Sequence, residues 1–227
     1  NMYRVEDKYM CSERELRLLE ARIGSVLKCD SNQNSEGGYQ ITSVYFDDVI
    51  QSHYQDTEDG NRQRMKYRIR TYNHSLDTIK LEVKEKKYSR VLKRSKLITK
   101  DEMFTLLSGN CIADEEMSLE SPVTLFNTAI KMDGLRPKVI VEYDRKAYVF
   151  DPGNVRITFD RNIRASREIG KFSDSDIVYD YLRDGDCVLE VKYDEFIPGF
   201  ILEILELGNM IQVSCSKYRL CYEREEV

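Results

Sequence analysis

Tryptophan is absent from the sequence and histidine is limited to His53 and His74, which excludes histidine-rich zinc sites and HExxH proteases. The six cysteines (Cys11, Cys29, Cys111, Cys187, Cys215, Cys221) form no CxxC pair. No charged-then-apolar signal opens the sequence, so these thiols are expected reduced, in a cytoplasmic protein. Four prolines and eleven glycines are too few to hide a linker, and no repeat divides the chain, so one domain over 1–227 is expected. No apolar run nears the ~18 residues of a membrane span. GxGxxG and GxSxG are missing, and Gly170-Lys171 runs into Phe172 with no glycine five residues earlier, so there is no P-loop. With 35 Lys+Arg against 40 Asp+Glu, the net charge of −5 argues against a nucleic-acid binder held by bulk charge. What remains for chemistry is Lys, Arg, Glu and Asp.

Helix signals occur in a few places. Ser12 and Glu15 form a capping box ahead of Leu16, Leu19, Ile23 and Leu27, which predicts a helix over 12–28. Thr99 and Glu102 open a short helix ending near Gly109. Pro122 and Pro198 stand at first-turn positions before apolar helical spacings, and a last helix is expected over 214–222. Between them, period-two alternation predicts eight strands: 3–10, 41–47, 64–72, 78–86, 90–97, 137–149, 154–160 and 187–193. Loops are expected at 29–39, 110–121 and 166–185. Eight strands are about enough to close a barrel.

The alternating residues are unusual. Side chains two apart on a strand share a face. Arg4, Glu6 and Lys8 oppose Val5 and Tyr9, while Lys66, Arg68, Arg70 and Tyr72 oppose Tyr67 and Ile69. Lys80, Glu82, Lys84 and Lys86 oppose Ile79, Leu81 and Val83. Arg156, Thr158 and Asp160 oppose Val155, Ile157 and Phe159, and Glu190 and Lys192 oppose Leu189 and Val191. One face of a solvated antiparallel sheet is the simple explanation for any single strand. Repetition over five strands, with apolar helices that also need a surface to cover, favours charged faces lining the inside of a barrel. The fold class expected is α+β: an eight-stranded antiparallel β-barrel tunnel with a charged lumen and helices packed outside.

Like charges crowded in a lumen are costly unless a polyanion and a metal neutralise them. Arg68 and Arg70 offer planar forks for phosphate oxygens, and Lys8, Lys84 and Lys217 add point charges. At roughly 1.5–3 kcal/mol per charge-assisted hydrogen bond, six or more would hold a phosphate chain firmly. Glu6, Glu82, Glu142 and Glu190 would repel that chain unless a hard cation such as Mg²⁺ or Mn²⁺ stood between. Each glutamate alone reads better as the salt-bridge partner of a neighbouring lysine, and Glu190 stands apart only by the pattern around it.

A run of short motifs then resembles a known family. In order they are Val5-Glu6-Asp7-Lys8-Tyr9, Ser43-Val44-Tyr45-Phe46-Asp47, Arg68-Ile69-Arg70 and Leu81-Glu82-Val83-Lys84. Glu142-Tyr143-Asp144-Arg145, Val155-Arg156-Ile157-Thr158-Phe159-Asp160, Leu189-Glu190-Val191-Lys192 and Ser216-Lys217-Tyr218 complete the series. Together they resemble the VTC domain, the polyphosphate polymerase domain of the vacuolar transporter chaperone complex, within the triphosphate tunnel metalloenzyme superfamily. The resemblance implies transfer of the terminal phosphate of ATP or another nucleoside triphosphate onto polyphosphate, with Mn²⁺ or Mg²⁺ as cofactor and pyrophosphate or phosphate as further ligands. It implies catalytic and phosphate-binding roles for Lys8, Arg68, Arg70, Lys84, Arg145, Arg156 and Lys217, with Lys96 and Lys192 as additional phosphate ligands and Glu190 on the metal. No nucleic acid is expected as a partner, and any link to the cytoplasmic face of a membrane would come through a membrane-protein partner subunit.

Two departures bear on this reading. Hydrolytic members of the superfamily carry ExExK in the first strand, where this chain has Arg4, which favours the VTC-like branch. Arg145 shares parity with Val139, Val141 and Tyr143, which read as outward-facing, so either a bulge near Tyr143 re-aims the strand or Arg145 forms an outer salt bridge. A tripolyphosphate or polyphosphate hydrolase and a non-catalytic polyphosphate sensor are the alternative functions.

Overall fold

The computed structural model describes residues 3–31, 33, 37–48, 63–88, 90–116, 118–174, 176–181, 187–206, 210–213, 217 and 221. Eight long strands carry the fold: β1 (Arg4–Cys11), β2 (Tyr39–Asp47), β3 (Gln63–Tyr72), β4 (Ser75–Lys87), β5 (Arg90–Ile98), β6 (Arg136–Phe150), β7 (Val155–Ser166) and β8 (Cys187–Tyr193). They pair in the order β1-β8-β7-β6-β2-β3-β4-β5, every pair antiparallel. The ring closes where Arg4 and Val5 of β1 meet Val91 and Arg90 of β5. Two-residue strands at Lys28–Cys29, Asp180–Tyr181 and Ile211–Gln212 extend the edges of β6, β7 and β1.

Among the described residues four helices cover the outside: α1 (Glu13–Gly24), α2 (Lys100–Leu107), α3 (Pro122–Met132) and α4 (Gly199–Leu205). The capping boxes at Ser12/Glu15 and Thr99/Glu102 form as expected, and Ser121 caps α3 with Pro122 in its first turn. Helix α1 ends at Gly24 rather than at 28. Leu27 stays buried beyond the helix end, its amide bonded to the Ile23 carbonyl. The loop expected at 166–185 begins after β7, which runs six residues beyond its predicted end at 160, to Ser166. Of the helix expected over 214–222, only Lys217 and Cys221 lie among the described residues.

The apolar faces of the strands account for the helices. Val44, Phe46, Tyr67, Ile69, Leu81 and Val83 form one outer core with Met103 and Leu106 of α2 and Phe126 and Ile130 of α3. Phe126 meets Phe46 and Tyr67 edge-on, at centroid distances of 5.2 and 5.1 Å. A second outer core joins Tyr9, Ile157, Phe159, Leu189 and Val191 to Leu16, Leu19 and Ile23 of α1 and Ile201 and Leu205 of α4. With the helices outside, the opposite, charged faces turn inward.

A third cluster lies within the barrel: Tyr39, Ile41, Tyr45, Val139, Val141, Tyr143, Ile163, Ala165, Val188 and Cys221. This corrects the parity reading of β6. Val139, Val141 and Tyr143 share the inward face with Arg145, and the β2–β6 register runs unbroken from Tyr39↔Arg145 to Tyr45↔Val139. Arg145 therefore needs no bulge in its own strand to enter the lumen. The irregularity lies across from it in β7, between the Glu142 and Asp144 pairings, where Asn162 takes a φ of 50°. It moves the inward parity of β7 from Asp160 to Ile163. Glu142, at the even parity of β6, goes to the outer face, where Arg164 (2.5 and 2.9 Å), Thr42 (2.6 Å) and Tyr179 (3.0 Å) hold it.

The outer layer should carry the stability. Leu81→Ala is expected to lower unfolding free energy by about 2–5 kcal/mol, because Leu81 is fully buried beneath the helices. A shift in urea midpoint at constant slope measures it, and a cost below ~1 kcal/mol would mean that this layer is loosely packed.

Candidate functional site

The inward faces enclose a chamber of about 690 Å³, continued by a deeper space of about 50 Å³. Arg68, Arg70, Lys84, Arg145 and Lys192 line both spaces. Lys8, Lys66, Glu190 and Lys217 line the deep part, together with Tyr45 and Tyr143. Arg4, Glu6, Lys80, Lys93 and Arg156 line the wide part, with Tyr39 and Tyr72. Of the residues singled out from the sequence, Lys8, Arg68, Arg70, Lys84, Arg145, Arg156, Glu190, Lys192 and Lys217 are thus brought together. Lys96 is not. It pairs with Leu81 across β4–β5, and so takes the outward parity and reaches Glu116 (3.2 Å) and Asp114 (3.8 Å). Lys93, three residues earlier, is the β5 lysine that faces inward. The alternation Val91-Lys93-Ser95 carried that signal.

Four inward-facing carboxylates are each shared among several cations. Glu82 accepts from Arg68 Nε at 2.6 Å and from Lys93 Nζ at 3.2 Å, with Arg70 at 3.9 Å. Asp160 takes a bidentate pair from Arg145 (2.6 and 2.7 Å) and a third contact from Lys217 (2.6 Å). Glu6 contacts Lys84 (2.6 Å), Lys8 (2.9 Å) and Lys192 (3.6 Å). Glu190 contacts Lys192 (3.1 Å), Arg145 (3.4 Å) and Lys8 (3.8 Å). Tyrosines complete the cage. Arg68 donates to Tyr45 Oη (3.1 Å), Arg70 to Tyr143 Oη (3.1 Å) and to Ser43 Oγ (3.2 Å), and Arg156 to Tyr39 Oη (3.0 Å). Lys217 stacks over the Tyr143 ring at 4.8 Å.

Cations outnumber carboxylates, and protonation shows where the strain falls. Burial raises the Glu82 and Glu6 carboxyls, but the surrounding cations outweigh it and hold both well below their ordinary value. Burial and Glu6 push Glu190 up, yet Lys192, Lys8 and Lys217 bring it to about 2. Glu6 cannot hold three ammonium groups charged in a desolvated space. Lys84 bears the deficit: burial, Lys8 and Lys192 press it down to about 7, against the pull of Glu6.

Glu6 and Glu190 are near neighbours on adjacent strands, diagonal in the β1–β8 ladder. Among the described residues no three or more metal-ligating side chains cluster. Two carboxylates suit a hard cation that takes its remaining oxygens from water and phosphate, as Mg²⁺ and Mn²⁺ do. The residues present therefore fit such an ion, held jointly with a phosphate ligand.

A proton linkage follows. A polyanion beside Lys84 restores the charged ammonium, so binding between about pH 7 and 10 should take up protons, and affinity should fall as pH rises above 7. Calorimetry of tripolyphosphate at pH 8 in buffers of different ionisation enthalpy measures the uptake, and buffer-independent heats would contradict it.

The VTC domain profile matches residues 3–224 of the chain. No curated protein matches it. Among solved structures, a candidate adenylate cyclase from Bacillus halodurans shares 13% identity at a TM-score of 0.57, covering 95% of this chain and 94% of that one. HpAC1 from Hippeastrum, described as having dominant triphosphatase activity, shares 12% at 0.57, with 98% and 96% covered. A chain of the Schizosaccharomyces pombe Mediator head module shares 6% at 0.51, with 91% and 90% covered. At these identities the likeness is one of fold. Among the described residues no helix is long and apolar enough to cross a membrane.

Proposed function

The chain belongs to the VTC domain family, and from that premise we propose that it is a phosphotransferase that moves the terminal phosphate of a nucleoside triphosphate onto polyphosphate within the barrel. The observation that carries this reading is the surplus of guanidinium and ammonium groups over carboxylates on the chamber walls. Phosphoryl transfer asks the protein chiefly for in-line alignment and for neutral surroundings to the equatorial oxygens. Arg68, Arg70 and Arg145 supply planar forks, and Lys8, Lys84, Lys192 and Lys217 supply point charges around one space. Arg156, at the wide end, would meet the outer part of the ligand. Glu190, with Glu6, would hold Mn²⁺ or Mg²⁺, which when bound neutralises charge between neighbouring phosphates. Arg4 stands where hydrolytic relatives have a glutamate and pairs with Asp194 at 2.9 Å, so it adds no third carboxylate.

Incubation with ATP and Mn²⁺, with products resolved on a gel, tests the reading. Long polymer supports it, free phosphate alone makes the chain a hydrolase, and no turnover with ATP or tripolyphosphate under any divalent metal makes it a sensor.

Two substitutions separate the roles. Arg70 leans mainly on the neutral Ser43 and Tyr143 hydroxyls, so Arg70→Ala should weaken tripolyphosphate binding by about 1.5–3 kcal/mol with little loss of stability. Arg68→Ala also strips the buried Glu82 of its closest partner and should destabilise the fold as well. Glu190→Gln removes a repulsive charge and a metal ligand together. Metal-free binding should hold or tighten, while divalent-dependent turnover falls about a hundredfold or more. Full turnover in that variant would move the metal to another carboxylate.

A further inference from the structure

Thr158 is fully buried on the inward face of β7, yet its Oγ1 has no hydrogen-bond partner. A buried hydroxyl left unpaired is destabilising, and valine would fill the same volume in a strand without that cost. The position of the hydroxyl points to a use. Thr158 stands directly opposite Glu190 in the β7–β8 ladder, where facing side chains lie within reach of each other. On its other side it faces Ala147 of β6, the smallest side chain on that wall. Its neighbours on β7 are committed: Asp160 to Arg145 and Lys217, and Arg156 to Asp30 and Tyr39.

Glu190, by contrast, is held by Lys192, Arg145 and Lys8, all of them groups that the proposed function turns toward phosphate. When a polyanion draws those cations away, the carboxylate loses the contacts that orient it. We propose that the Thr158 hydroxyl is a positioning group for Glu190: it donates a hydrogen bond to the carboxylate once phosphate occupies the chamber, and so fixes the oxygen that faces the divalent cation. This inference rests on the phosphate-binding reading of the chamber. It adds a residue whose hydroxyl lacks a partner in this structure and gains one when phosphate binds.

Thr158→Val and Thr158→Ser, made in the full chain, test it by calorimetry with tripolyphosphate alone and with its Mn²⁺ complex. For Thr158→Val the unfolding midpoint should match or exceed that of the parent. Metal-free tripolyphosphate should bind within twofold of the parent, while the Mn²⁺ complex binds about tenfold more weakly, as loss of a group orienting a metal ligand does. Thr158→Ser should restore the Mn²⁺ complex. Equal affinity of parent and Thr158→Val for that complex would overturn the proposal. An equal loss with and without metal would also overturn it, since the residue would then act on phosphate or on shape. So would failure of serine to rescue, which would assign the effect to the methyl group. If the parent bound neither form, the phosphate reading itself would fall and this inference with it. The other outcomes leave that reading intact.

Discussion

Closure of the barrel is the constraint on which the rest depends. An open sheet could leave its Lys and Arg face in water at little cost. Once β1 meets β5, the inward side chains share one confined volume, and the charges must be reconciled there. Glu6, Glu82, Asp160 and Glu190 reconcile part of them, each shared by two or three cations. Such pairs add little net stability, because desolvation offsets most of their attraction. Stability must come from elsewhere, and the two outer cores of strand and helix side chains supply it. The division is spatial: apolar faces outward beneath helices, charged faces inward around a ligand volume.

Most of this division was legible in the sequence because strand parity is a strict code. A charged residue two positions from another must share its face, and a bulge is the usual way to break the rule. Eight strands, the capping boxes and the inward placement of nine residues followed from that code and the motif order, with Arg145 and Lys217 owed to the motifs alone. Lys96 is an instructive failure. It was placed by motif, whereas its parity with Ile98 and its pairing with Leu81 put it outside. Strand β6 misled in the opposite direction. Val139, Val141 and Tyr143 were read as outward because they are apolar, but the interior of this barrel is apolar at one end and charged at the other. Parity was reliable there, and hydropathy was not. The same parity, opposite to that of Arg145, marks Glu142 as outer, although its partners Arg164 and Tyr179 lie far along the chain.

The two halves of the interior have different electrostatic consequences. Val139, Val141, Ile163, Ala165 and Val188 exclude water from one part of the barrel, and the basic residues sit beside that apolar wall. Charges next to a low-dielectric surface act more strongly than the same charges in water. Tyr45 and Tyr143 stand at the junction, their rings in the apolar cluster and their hydroxyls on Arg68 and Arg70. They hold the guanidinium planes without neutralising them. A carboxylate in either position would hold the arginine equally well but add negative charge to the chamber.

The chain as a whole is net negative while the chamber is basic. The residues outside the chamber therefore sum to a net negative charge, while basic side chains are concentrated in the lumen. Charge concentrated within walls of low dielectric focuses the field there instead of spreading it. Such focusing reconciles a net charge of −5 with a basic chamber. Net charge argues only against broad, patch-driven binding of nucleic acid. It carried no information about an anion narrow enough to enter the barrel, because the relevant charge is the one enclosed by the eight strands.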